Sequence, residues 1–265
     1  MNIHLVVIDP QVDFCNSGGA LYVTGADEDI KRLSGAVTRL KDSISRIHCT
    51  LDNHHLVDIA HPLWWKDRSG DHPEPFTIIE ADALESGEWT TANPDAQARS
   101  FDYVRQLAAN DRYPLCIWPP HCLIGSPGAN VMPELFQAFR EWEADRHGIV
   151  NFITKGSNPW TEHYSAVQAD VPDPSDPGTL LNTSFIRALE EADLILLTGE
   201  AGSHCVANTA RDIAVNFTDA SSISKLVLLE DATSPVLGFE NFQTDFIKDL
   251  TDRGMQLSTT AEILG

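Results

Sequence analysis

Six short apolar runs rich in Ile, Val and Leu recur along the chain: IHLVVID (3–9), RIHCTLD (46–52), PLCIW (114–118), IVNFITK (149–155), ADLILLTG (192–199) and SKLVLLED (224–231). Each is nearly continuous rather than alternating, which is the pattern of strands buried on both faces, and together they predict a parallel sheet. Helical periodicity fills the intervals at 27–44, 132–145, 183–192, 204–215 and 240–254. Strands alternating with such helices predict a doubly wound α/β fold, a mostly parallel sheet with helices on both faces.

Residues 62–111 break this rhythm with four prolines, many acidic residues and one helical stretch near 95–109. No core large enough for independent folding is visible there. The expectation is therefore one domain over 1–265 carrying an insertion at about 62–111, and a long excursion of this kind serves more often as a lid or an interface than as a passive connection. Trp64, Trp65 and Trp89 within it have two uses open to them, packing the insertion onto the body or covering an aromatic substrate.

An open parallel sheet binds its ligands beyond the carboxyl ends of the strands. The residues just past the apolar runs are Asp9, Asp52, His54, Trp118, His121, Lys155 and the turn from Gly199 to Cys205. In GEAGSHCVANTARDIA (199–214), Cys205 stands between an apolar strand and a helix. A helix start stabilises a thiolate, and its free N–H groups can receive a developing oxyanion. Asp9 can take the thiol proton, and Lys155 can hold both carboxylate and thiolate charged. A lone cysteine is more often a buried hydrophobe, a strand-ending Asp a turn residue and a lone Lys solvated; their convergence at equivalent strand ends favours chemistry. Asp52 and His54, spaced i and i+2, can meet one metal, with His121 closing the set and His61 as a further candidate. Carboxylate and imidazole together suit a divalent ion, zinc first, with iron or manganese as alternatives. His55 and His72 read as bystanders.

Composition narrows the partners. Of 265 residues 42% are hydrophobic, enough for a sizeable core, and the net charge of −21 repels phosphate backbones and anionic lipid, so no nucleic-acid or membrane partner is expected. The acidity by itself reads as a solvated surface. No leader-like segment opens the chain, and no run approaches the roughly 18 apolar residues of a membrane span. The five cysteines are odd in number and scattered, against a disulfide framework, so a cytoplasmic location is expected. A small-molecule substrate remains as the partner, with self-association into a homo-oligomer left open.

VVIDPQVDFCNSGGAL (6–21), LDNHH (51–55), WPPHCLIGSPGA (118–129), TKG (154–156) and GEAGSHCVANTA (199–210) together resemble the nicotinamidases, in the isochorismatase-like cysteine hydrolase superfamily. The motifs fall in family order over most of the chain, leaving 62–111 and the C-terminal segment without a counterpart. The resemblance implies a three-layer α/β/α fold and a triad of Asp9 as base, Lys155 as electrostatic partner and Cys205 as nucleophile. It implies a metal on Asp52, His54 and His121 that also takes the pyridine nitrogen of nicotinamide. It places Phe14 and Trp118, with His204, around the substrate, an oxyanion hole at the N–H groups of Ala201 and Cys205, and a cis peptide between Glu200 and Ala201. His61 follows His54 by seven residues, near but not at the family's spacing for an additional histidine. The implied reaction converts nicotinamide to nicotinic acid and ammonia through a Cys205 thioester. Another small amide or a carbamoyl compound is the alternative substrate. An isochorismate-type ether hydrolase, which dispenses with the cysteine and the metal, and a non-catalytic binding protein fit less well.

Overall fold

The fold is described from a computed structural model covering residues 1–264. In chain order its elements are β1 (Ile3–Ile8), α1 (Val12–Cys15), α2 (Ala26–Leu40), β2 (Ile44–Asp52), β3 (Trp65–Lys66), β4 (Ile78–Ile79), α3 (Ala81–Glu85), β5 (Thr90–Thr91) and α4 (Gln97–Ala109). They continue with β6 (Leu115–Cys116), α5 (Pro133–Arg146), β7 (Asn151–Lys155), α6 (Thr183–Glu190), β8 (Leu194–Gly199), α7 (Ala207–Asn216), β9 (Leu226–Leu229), α8 (Glu240–Asp252) and β10 (Gln256–Ser258). Six strands form one parallel sheet in the order β10-β9-β8-β1-β2-β7, with the helices packed around it. From β1 the chain builds outward first to β2 and β7, then returns to the other side for β8, β9 and β10. The order therefore reverses between β1 and β8, and the crevice of an open α/β sheet forms beyond the carboxyl ends of such a pair.

Local sequence explains the main elements. All six residues of β1 are buried, as a central strand covered on both faces requires. In α2, Ile30, Leu33, Val37 and Leu40 recur at helical spacing and form its buried face, and the helix lies against α5. It stops at Leu40, short of the expected position 44, because Ile44 already opens β2. β10 adds a strand beyond the helix that ends the periodic pattern.

Two expectations change. PLCIW does not supply a strand of the parallel sheet: β6 pairs antiparallel with β4 inside the inserted region, in a separate two-stranded ribbon. Its apolarity is real, since Leu115, Cys116, Ile117 and Trp118 are all buried, but continuous apolarity reports burial rather than the identity of the strand partner. The helix expected over 204–215 begins at Ala207, and Gly202–Val206 form a π-helical turn ahead of it.

The inserted region is anchored to the body by its tryptophans. Trp65 is fully buried and its Nε1–H donates to the Ile59 carbonyl (2.7 Å), while Trp64 Nε1–H donates to Ser100 Oγ on α4 (3.0 Å). The Phe76 N–H donates to Ile117 O, the Ile117 N–H to Thr77 O (2.8 Å), and the Trp118 N–H to Ala60 O (2.7 Å). Residues 60–118 are thus laced into one layer, which fixes where Trp118 and the following His121 emerge.

Candidate active site

Asp9 ends β1, Lys155 ends β7 and Cys205 lies in the turn after β8, so three strand ends bring the expected triad together. Lys155 Nζ is 2.8 Å from Asp9 Oδ2 and donates to Cys205 Sγ at 3.6 Å; all three residues are buried. Thr50 on β2 braces Asp9: the Asp9 N–H donates to Thr50 Oγ1 (3.0 Å), whose hydroxyl donates to Asp9 Oδ1 (2.5 Å). Burial raises the Asp9 carboxyl above its ordinary value, with Lys155 pulling it back, and so makes it a stronger proton acceptor. Burial likewise pushes the Cys205 thiol well up, outweighing the lowering by Lys155. The resting group is therefore a thiol, set beside the Asp9 carboxyl. Lys155 stays charged because Asp52 and Asp9 outweigh the burial that would discharge it.

The turn that carries Cys205 is shaped by its backbone. The Glu200–Ala201 peptide is cis, as the resemblance implied. Gly199 has φ of +109°, and a side chain there would run into the backbone of Ile8 on β1, so only glycine lets the two strand ends close up. The Gly202 N–H donates to Ser234 O (2.8 Å) and the His204 N–H to Ala201 O (3.0 Å), while the Ala201 N–H has no acceptor among the described residues.

Beside the triad lies the second expected cluster. Ligand atoms of Asp52, His54 and His121 lie within 4.8 Å of one another. His54 Nε2 is 3.1 Å and His121 Nε2 3.8 Å from Asp52 Oδ2. Each imidazole is oriented through its other nitrogen: His54 Nδ1–H donates to Asp58 (3.2 Å), His121 Nδ1–H to Pro119 O (2.9 Å) and His61 Nδ1–H to His55 O (3.0 Å). That arrangement leaves the three Nε2 atoms as lone-pair donors, as metal-binding histidines require. His54 Nε2 and His61 Nε2 are buried without hydrogen-bond partners beside the Asp52 carboxylate, so the residues fit a divalent cation. The His61 ring stands 5.2 Å from that of His54 and 5.6 Å from that of His121, which brings it to the cluster despite its spacing. His55 and His72 are exposed and stay outside, as expected. Lys155 joins the two clusters, with Nζ 3.2 Å from Asp52 Oδ1. Gly156 follows in a left-handed conformation (φ +79°), and a Cβ there would strike Asp52 Oδ1.

A cleft runs between the clusters, lined by Cys205, Ala201, Asp52, His121 and the aromatic residues Phe14, Trp118, Tyr164 and His204. Phe14, Trp118 and His204 thus line one cleft beside Cys205. Trp118 and His204 meet edge to face at 5.0 Å, and Trp118 Nε1–H donates to the Tyr164 hydroxyl (2.9 Å). Trp64, Trp65 and Trp89 do not line it; the packing use of the insertion's tryptophans is the one realised. Sequence reasoning missed Tyr164, Glu162, Thr50, Asp58 and Gln11. Gln11 stood inside a quoted motif, and its Nε2–H donates to Asp52 O (2.7 Å) while its Oε1 accepts from the Asp52 N–H (2.7 Å), tying the first strand end to the metal cluster. Glu162 and Tyr164 follow Lys155 by seven and nine residues, and nothing in the local pattern marks them.

A buried Asp–Lys–Cys set lies at the switch point of a six-stranded parallel sheet, and the similarities of the chain support a nicotinamidase-like hydrolase of amide C–N bonds with the isochorismatase-like fold. Over 240 residues it is 27% identical to the nicotinamidase/pyrazinamidase of Mycobacterium tuberculosis, covering 91% of this chain and 94% of that one. It is also 27% identical to the nicotinamidase of Escherichia coli, over 78% of this chain and 74% of that one. Among solved structures it is similar to the Acinetobacter nicotinamidase/pyrazinamidase (TM-score 0.66, 22% identity, 99% and 98% of the two chains). The yeast nicotinamidase bound to nicotinaldehyde gives TM-score 0.66 at 18% identity, covering 97% and 99%. The Pyrococcus horikoshii pyrazinamidase in complex with zinc gives 0.55 at 18%, covering 98% and 99%. No family model matches the chain.

Proposed function

We propose that the chain is a single-domain, metal-dependent amidohydrolase that converts nicotinamide to nicotinic acid and ammonia. The observation that carries the reading is the position of one buried ammonium, Lys155 Nζ, within 3.6 Å of Cys205 Sγ, 2.8 Å of Asp9 and 3.2 Å of Asp52, so that the nucleophile, base and metal-ligand set share one centre. Names of the relatives supply the substrate.

Asp9 accepts the Cys205 proton as the sulfur attacks the carboxamide carbon. The oxyanion is received at the N–H groups of Ala201 and Cys205. Ammonia leaves with the proton held on Asp9, which gives a thioester, and a water deprotonated by the same carboxylate releases the acid. Lys155 holds Asp9 in place and offsets charge on the sulfur. Asp52, His54, His121 and His61 would hold the divalent ion, zinc before iron or manganese; such an ion supplies Lewis acidity and a coordination position for a heteroaromatic nitrogen. Phe14, Trp118 and His204 give an aromatic ring flat and edge contacts. The cleft encloses about 20 Å³, and Val23 and Val236 line it from non-helical segments. Among the described residues no helix is long and apolar enough to cross a membrane; the five cysteines are unpaired, which supports a reducing, cytoplasmic setting.

The test is ammonia release from nicotinamide by metal-replete protein, with Cys205→Ala as blank and mass spectrometry of quenched turnover for a nicotinoyl adduct on Cys205. Cys205-dependent release with the adduct supports the reading. No release from folded, metal-loaded protein would overturn nicotinamide as substrate and turn attention to other small amides.

A further inference from the structure

The central sheet has two edges. β10 is three residues long and offers little to pair with. β7 is longer, follows β2 without a bulge from Asn151 to Lys155, and has no strand on its other side. The Asn53 N–H donates to Lys155 O (3.0 Å), so Lys155 turns its backbone toward β2. Backbone groups alternate along a strand. Ile153 and Asn151 therefore face β2 as well, and the N–H and C=O of Phe152 and Thr154 face outward, bonded to nothing among the described residues.

Proteins commonly blunt such an edge with lysine, proline, a bulge or a covering loop. None of these residues or devices is present from 147 to 154, HGIVNFIT, which carries no Asp, Glu, Lys or Arg in a chain of net charge −21. Ile149 is 85% exposed and Phe152 42% exposed. The side chain of Asn151 bonds His48 (3.0 Å), so strand alternation puts Phe152 and Thr154 together on the opposite face.

We propose that this edge is an interface between two copies of the chain, with β7 paired antiparallel to β7 about a two-fold axis at Ile153. The fit is self-complementary. With Ile153 opposite Ile153 of the second copy, Phe152 faces Thr154 and Thr154 faces Phe152, and both pairs have their backbone groups turned to each other. That register forms four N–H···O=C bonds and makes one twelve-stranded sheet. Charge selects the same strip: two copies this acidic repel over most of their surfaces, and the uncharged edge is where their approach costs least. Pairing also braces from its free side the strand that delivers Lys155.

Sedimentation velocity on the full chain at about 100 µM tests this, with Phe152→Lys and Ile153→Cys as variants. The wild type is expected at twice the 29.2 kDa chain mass, and Phe152→Lys, which sets a charge beside the axis, at the monomer mass or with a dissociation constant raised at least about tenfold. The five native cysteines are buried, so a disulfide-linked dimer on mild oxidation is expected of Ile153→Cys, whose two thiols meet across the axis, and not of the wild type. A monomeric wild type at that concentration, an assembly that Phe152→Lys leaves unchanged while its circular dichroism stays native, or absence of the Ile153→Cys crosslink would each overturn the proposal.

Discussion

Replacing Lys155 by Met removes one charge from the centre of the site while keeping a side chain of similar length. Nζ lies 2.8 Å from Asp9 and 3.2 Å from Asp52, and the lysine is 3% exposed. Without it the two buried carboxylates of Asp9 and Asp52 lose the ammonium they share. Breaking a buried ion pair by deleting one partner costs about 3–5 kcal/mol. The cost depends on pH in a definite direction. Burial already raises Asp9, and losing Lys155 removes the opposing pull, so its folded pKa moves further above the unfolded value. A carboxyl raised in this way is tolerated when protonated, so the deficit of Lys155→Met is small in acid and grows as pH rises through the window between the two values. One proton limits the slope to about 1.4 kcal/mol per pH unit. Urea unfolding of metal-stripped wild type and variant from about pH 5 to pH 8 reads this as a midpoint gap that widens with pH. Ammonia release should fall by about three orders of magnitude or more. A gap that is constant, or that widens toward acid, refutes the assignment of Lys155 as the charge holding both carboxylates.

Three further outcomes are expected. Removing His61 by substitution with Ala should weaken metal binding by about 10–100-fold in a competition titration with a chelator, whereas His54→Ala with His121→Ala should abolish it in elemental analysis; equal metal content throughout would remove the ligand assignment. Gly156→Ala must accommodate a Cβ against Asp52 Oδ1 at φ +79°, so it should lose metal and activity together while the far-UV circular dichroism stays native; retention of bound metal would count against that contact. Burial lowers His4 to about 4 and His48 to about 3. The unfolded chain therefore binds protons that the native one refuses, and stability is full above the unfolded histidine value of about 6.5 and falls as pH drops below it. Each histidine contributes a loss of about 2 kcal/mol between pH 6.5 and pH 5, and His48→Asn should flatten that part of the urea-midpoint profile.

Much of the site is written locally. Each of Asp9, Asp52, His54, Lys155 and Cys205 sits at or just past the end of an apolar run, and in a parallel sheet those ends share one side, so strand recognition alone brings them near one another. Local pattern could not say what PLCIW pairs with, because a run buried by an inserted layer and a run buried in a sheet have the same composition. It could not supply Glu162 and Tyr164, whose approach to the cleft depends on the path of the loop after β7. His61 shows the division clearly: its spacing argued against the metal cluster, and its place beside His54 and His121 follows from how residues 55–61 fold back to hydrogen-bond their own carbonyls. Nor could it mark the free edge of β7, since which strand lies outermost is decided only when the six strands take their order. Periodicity and strand-end chemistry act over a few residues and are fixed by the sequence itself. Strand order, the insertion's packing and loop paths depend on contacts between residues far apart in the chain, and those exist only once the whole fold has formed.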